Sequence, residues 1–150
     1  LEVVIAGTNS PNTAGYLEAL QEKYKNVEGI IFTGYVDEND VERIFTDSTI
    51  VVFPYTSTTG SSGVLHQAGS YGKAVIMPDL GDLALLIKDE GYKGEFFNPE
   101  SADSLAMAID EIISNDAYRK ELATANFNAA SALSMDKIIM MYIECFKSIQ

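Results

Sequence analysis

Apolar residues along this chain alternate between two kinds of spacing. Short β-rich runs occur at Leu1–Ala6, Gly29–Thr33, Thr49–Phe53, Ala74–Met77 and Gly94–Phe97. Between them, apolar positions recur three and four residues apart, the spacing of one helix face. Tyr16–Tyr24 carries Tyr16, Leu17, Leu20 and Tyr24 on such a face, and Val41, Ile44 and Phe45 form another stripe behind a capping Asp37. Ser62–Tyr71 and Asp82–Glu90 read as shorter helices. Thr49–Phe53 has no polar alternation, which is expected of a parallel strand covered on both faces.

Beyond Pro99 the pattern is helical to the end. Ser101 caps Asp103–Ser114, with Leu105, Ala108, Ile109, Ile112 and Ile113 directed inward. Asp116–Ala130 follows, and Ser134 opens a last helix bearing Ile138, Met141, Tyr142, Cys145 and Ile149. Strands separated by helices imply crossover connections and an α/β fold, a Rossmann-like doubly wound parallel sheet flanked by helices with a helical C-terminal extension. Ligands in such folds sit beyond the carboxyl ends of the strands.

At 150 residues, 47% of them hydrophobic, one domain is expected, with about two-thirds of its unfolded surface buried. The net charge of -12 excludes nucleic acid as a partner, because a phosphate backbone is bound through Lys and Arg. Acidic positions such as Asp37, Glu38, Asp40 and Glu42 read as a solvated helix surface. No apolar run approaches the roughly 20 residues of a membrane span, and no signal peptide is evident. Cys145 is the single cysteine and His66 the single histidine, so neither an internal disulfide nor a Cys/His metal cluster is available. Cys145 is expected as a small core residue, and a cytoplasmic location fits this cysteine usage.

The chemistry concentrates between Pro54 and Gln67. There a strand ends in a proline and is followed by Thr56, Ser57, Thr58 and Thr59, then Gly60, Ser61, Ser62 and Gly63. Glycines permit close approach of a ligand or a backbone, and Ser61 or Ser62 can cap the next helix. Backbone N–H groups at a helix N-terminus favour an anion such as phosphate. An ordinary capped β–α loop has the same composition. His66 reads as a packed or hydrogen-bonded structural residue, whereas Gln67 can face the same crevice as the loop and hold a hydroxyl group. Asp82 reads as a helix cap, and Asp79 faces ligand or solvent. Other chemistries lack their spacing: Ala6-Gly7-Thr8-Asn9-Ser10-Pro11 has no G-x-G-x-x-G, no P-loop motif exists, and Gly60-Ser61-Ser62-Gly63 lacks the G-x-S-x-G of a nucleophile elbow.

From Val27 to about Asp116 the chain resembles the C-terminal half of a retaining GT-B glycosyltransferase of the group 1 family. The residues that carry the likeness are IIFTGYV, a strand ending in proline (STIVVFPY), the glycine-rich turn and helix, and Ala68-Gly69-Ser70-Tyr71-Gly72-Lys73-Ala74-Val75. GEFFNPESADSLAMAIDEIISN resembles the strand, loop and long helix that follow, and Leu1–Gly7 an earlier strand. The resemblance implies a nucleotide-sugar-binding domain spanning 1–150, a fragment of a longer chain.

By this resemblance the base of a UDP-, GDP- or ADP-sugar lies near Gly34, Tyr35 and Val36. Its diphosphate and sugar meet the amides of Gly60, Ser61, Ser62 and Gly63. The sugar passes with retention to an acceptor (a sugar, a lipid or a small molecule) held by an N-terminal domain outside this chain, with no cofactor besides the donor itself. Where the family carries two glutamates eight positions apart, this chain has Thr59 and Gln67, which removes two charge-assisted bonds. The family's diphosphate-binding Arg and Lys belong to a first strand–helix unit that would precede Leu1 and occupy mid-sheet, so a rearranged sheet or a fragment is expected. The isolated chain is expected to be inactive. A nucleotide-sugar epimerase of the same fold and a non-catalytic scaffold are the alternatives.

Overall fold

The computed structural model describes residues 1–57, 63–132 and 134–149, with Asp82 described by its backbone alone. Two compact units divide the chain, Leu1–Ile44 and Phe45–Gln150.

In the first unit, β1 (Val3–Ala6) pairs in parallel with β2 (Ile30–Gly34), Val3 opposite Ile30 and Ile5 opposite Phe32. Between them lie a 3-10 turn (Pro11–Thr13) and α1 (Tyr16–Tyr24). The sequence pattern did not announce the 3-10 turn. It forms where Pro11 supplies a preset φ, and the Ser10 hydroxyl accepts from the Asn12 amide at 3.4 Å. Asn9 then anchors the start of α1, accepting from the Leu17 amide at 2.8 Å and donating to Glu18 at 2.6 Å. That bond holds the Glu18 carboxyl below its usual value. Asp37 caps α2 (Glu38–Asp47) as expected, its carboxylate accepting from the Asn39 amide at 3.0 Å.

The second unit holds a parallel sheet in the order β3 (Ile50–Val52), β4 (Ala74–Pro78), β5 (Gly94–Phe97). The parallel α/β architecture with flanking helices is therefore present, its strands distributed over two ladders rather than one. All five residues of β4 are buried, because the strand lies between two others and has α3 (Gly63–Ser70), α5 (Ala102–Ser114) and α6 (Asp116–Ala132) packed against it. Here the expectation for Thr49–Phe53 is corrected. Ile50–Val52 is only half-buried, since β3 has a partner strand on one side alone among the described residues.

The core of this unit joins Ala74, Ile76, Phe97, Ala108, Ile112 and Leu122, with Leu105 and Ile109 packed against it. Ile113, expected inward, is 38% exposed because it falls a residue past the buried stripe of α5. Ser101 caps α5 as expected, accepting from the Ser104 amide at 3.1 Å. At Gly94 a Cβ would sit 2.4 Å from the Val75 carbonyl oxygen, so only glycine lets β5 begin this close to β4.

α4 (Asp82–Asp89) has Gly81 at its cap position, at φ 60°, with Asp82 as its first helical residue, so the capping role expected of Asp82 falls to Gly81. The last helix, α7 (Met135–Ser148), buries none of its residues, and Cys145 is exposed rather than in a core. Its stripe has helical spacing, but burial needs a second surface, which spacing alone does not supply.

Candidate functional site

Three parallel strands point their carboxyl ends to one edge of the second unit. β3 leads through Phe53, which is buried, into the exposed Pro54, and the Tyr55 amide turns back to the Phe53 carbonyl at 2.8 Å. β4 leads into the exposed Asp79, whose amide donates to the Phe97 carbonyl at 2.8 Å, and then into Gly81. Pro54 thus follows the carboxyl end of β3, at the edge where parallel sheets bind ligands. Thr59, Gly60, Ser61 and Ser62, with the proposed Ser caps, lie outside the described residues. Gly63 opens α3 and is exposed, and Gln67 is exposed one turn further on.

Gly34, Tyr35 and Val36 belong to the first unit. Gly34 adopts φ 67° at the end of β2 and its carbonyl accepts from the Gly7 amide at 3.2 Å. The same amide is 3.2 Å from the Thr33 hydroxyl. Both strand ends therefore close on glycines with positive φ, which L side chains resist. Tyr35 is 79% exposed and Val36 is half-buried.

α3 is fixed from behind by residues whose importance no local pattern signals. Leu65, Ala68 and Gly69 are its buried face. A Cβ on Gly69 would stand 2.7 Å from Tyr92 Cε1 and 2.9 Å from the Asn126 carbonyl oxygen, so glycine is required for this approach. Asn126, fully buried on α6, donates to the Lys73 carbonyl at 2.9 Å and accepts from the Lys93 amide at 2.8 Å. Its amide satisfies two backbone groups at once, which is how a buried polar side chain repays its desolvation. Lys73 reaches the other way, donating to the carbonyls of Thr46 and Ser48 at 2.9 and 2.8 Å. It thereby satisfies orphan carbonyls at the end of α2, where a cation also suits the helix dipole.

The sequence reading of His66 as hydrogen-bonded is what the structure shows: its Nδ1 is 2.8 Å from the Tyr92 hydroxyl. Burial, and then the Glu90 carboxylate, push the Tyr92 phenol above its usual value. Away from this edge, an open hollow of about 700 Å³ lies between α5 and β5, lined by Glu95, Met107, Glu111 and Tyr118 among others. Tyr118 donates to Glu95 at 2.6 Å, and this bond, followed by burial, holds its phenol up to about 12. No group of three or more Asp, Glu, His or Cys side chains able to hold a metal is found among the described residues.

Parallel strands joined through flanking helices define an α/β class whose members bind ligands beyond the carboxyl ends of the strands. Within that class the chain belongs to the glycosyl transferases group 1 family, whose model matches residues 1–115. It is 26% identical over 148 residues to an uncharacterized glycosyltransferase of Methanocaldococcus jannaschii, covering 97% of this chain and 37% of that protein. Among solved structures it resembles Anabaena HepE in complex with UDP (TM-score 0.84, 18% identity, 99% of this chain and 41% of that one). Sucrose-phosphate synthase from Thermosynechococcus elongatus is similar too (TM-score 0.80, 20% identity, 99% of this chain and 38% of that one). At these identities the likeness establishes the fold, that of GT-B glycosyltransferases. The chain spans well under half the length of each of these relatives.

Proposed function

We propose that this chain is the sugar-donor domain of a retaining glycosyltransferase. It binds a nucleotide-diphospho-sugar at the strand-end turn, with Gly34, Tyr35 and Val36 toward the base and Thr59, Gly60, Ser61, Ser62, Gly63 and Gln67 toward diphosphate and sugar. The observation that carries this reading is the family match across the turn, together with α3 beginning at Gly63 directly behind it. The UDP held by HepE, a structural relative, supports a nucleotide donor. Backbone amides at the α3 N-terminus suit a diphosphate that must be stabilised as it departs. With Thr59 and Gln67 in place of carboxylates, recognition relies on amides and neutral side chains, and no cofactor beyond the donor takes part. The acceptor and the rest of the catalytic apparatus come from chain outside these residues, and the reaction is cytoplasmic.

Calorimetric titration of the full-length protein with UDP, GDP and ADP tests the reading. One of the three is expected to bind, and Gly60→Asp is expected to weaken it about tenfold or more by placing a carboxylate beside the diphosphate. Unchanged affinity in that variant sinks the role of the turn. The Thr59 and Gln67 departures favour one second reading, a scaffold that kept the fold and lost the chemistry; it would bind none of the three at millimolar concentration. Turnover by residues 1–150 alone would contradict the assignment of the acceptor to a separate domain.

A further inference from the structure

The position of α3 matters to the reading above, because Gln67 and Gly63 ride on it. Apolar packing through Leu65, Ala68 and Gly69 sets how closely the helix lies against its neighbours. Such contacts are non-directional and leave the rotation of a short helix weakly determined. Among the described residues, a directional side-chain contact from α3 to another element comes from His66, the residue beside Gln67.

His66 Nδ1 meets the Tyr92 hydroxyl at 2.8 Å, and the two rings pack edge to face with centroids 5.4 Å apart. Tyr92 is itself 2% exposed, wedged against Gly69, so its hydroxyl is a fixed post rather than a mobile partner. A neutral phenol donating to Nδ1 leaves the imidazole hydrogen on Nε2. That nitrogen is 3.8 Å from Glu90 Oε2, a buried oxygen with no hydrogen-bond partner among the described residues. Glu90 caps the C-terminus of α4, where the helix dipole disfavours a carboxylate, so a donor there is doubly favourable. The neighbouring cations are engaged elsewhere: Lys88 lies over the Phe96 ring at 4.8 Å and Lys93 pairs with Glu121 at 3.3 Å. α3 has no other ionisable side chain, and α6 has none from Leu122 to Ala132.

We propose that His66 is a positioning residue for the donor site, tying α3 to the α4–β5 turn through Tyr92 and Glu90 and so orienting Gln67. The inference rests on the donor-site reading of Gln67. Ligand binding that draws α3 toward Glu90 by less than an ångström would convert the 3.8 Å approach into a hydrogen bond.

The full-length protein is titrated with UDP, GDP and ADP as wild type and as His66→Leu, His66→Asn and Tyr92→Phe. His66→Leu and Tyr92→Phe are expected to weaken the nucleotide that binds by about fivefold, the worth of one hydrogen bond. His66→Asn places Oδ1 where Nδ1 stood, accepts from Tyr92 and restores affinity to within about twofold. A loss due to packing alone would not be repaired by asparagine. Wild-type affinity in both His66→Leu and Tyr92→Phe, or no recovery in His66→Asn, overturns the proposal. If the wild type binds none of the three, the donor-site reading fails separately, and the tie is read from amide exchange in α3. Exchange about fivefold faster in His66→Leu and Tyr92→Phe, reversed in His66→Asn, upholds it, and unchanged exchange overturns it.

Discussion

The units Leu1–Ile44 and Phe45–Gln150 contain the same kinds of element, parallel apolar strands joined through helices, yet they bury them differently. In the second unit β4 is covered completely and feeds a core that runs through Phe97, Ala108, Ile112 and Leu122. In the first unit, none of the residues is buried, and Val3, Val4 and Ile31 stand more than 40% exposed. The strands are equally apolar, so hydrophobicity does not make the difference. What differs is the number of neighbours: a strand between two strands and beneath helices loses its solvent, whereas a two-stranded ladder cannot cover itself and is marginal alone. Stability is therefore concentrated in the second unit, while both units carry candidate ligand-contacting residues.

The contrast can be broken most directly at Ile76. Ile76→Ala, in the fully buried β4, is expected to cost about 2–5 kcal/mol. Val4→Ala in β1 should cost less than about 1 kcal/mol. Chemical denaturation of both variants checks this, and equal losses would erase the distinction between the units. Native-state amide exchange offers the same comparison without mutation: β4 amides should exchange only on global opening, β1 amides well before it.

Asn126→Ala is next in size. It strands the Lys73 carbonyl and the Lys93 amide in a buried site and should cost about 1–3 kcal/mol, read by denaturant midpoint. Lys73→Met removes the cation from the end of α2 and should cost about 1 kcal/mol, an effect that high salt reduces only slightly if hydrogen bonding dominates.

The smallest effect lies at alkaline pH. The Tyr118 phenol is held up to about 12 by its bond to Glu95. Its contribution is therefore fully present below the unfolded tyrosine value of about 10 and is lost as pH rises through about 12. Melting temperatures of the wild type should fall more steeply across that window than those of Tyr118→Phe, and parallel slopes would remove the bond from the account. Asp116 gives the opposite sign at acid pH. Bonds and charge from Lys120 and Arg119 hold its carboxyl low, so its small contribution is present above the unfolded aspartate value of about 4 and fades as pH falls through its lower folded value.

Much of the element order was legible because local rules act over a few residues. Tyr16–Tyr24 and Gly94–Phe97 have the bounds their patterns imply, and Asp37 and Ser101 cap the helices they were expected to cap. The errors share a cause. Thr49–Phe53 has the run of a central strand yet pairs on one side only among the described residues, Cys145 sits on an apolar stripe that is not covered, and Ile113 lies just past a stripe that is. A stripe records what a helix can bury, and a neighbour decides whether it does. Tyr92, Asn126 and Glu90 carried no signal at all, because their partners stand 26 or more positions away or on another element.

The sequence by itself determined most of the element order, the caps at Asp37 and Ser101 and the parallel α/β class, since propensity, periodicity and capping are local properties. Only the tertiary structure decided which strand became the buried centre, that α7 presents its apolar residues to solvent, and that His66 is tied to Tyr92 beside a buried Glu90 oxygen. Those outcomes depend on burial and on hydrogen bonds between distant residues, and both exist only once the elements have packed.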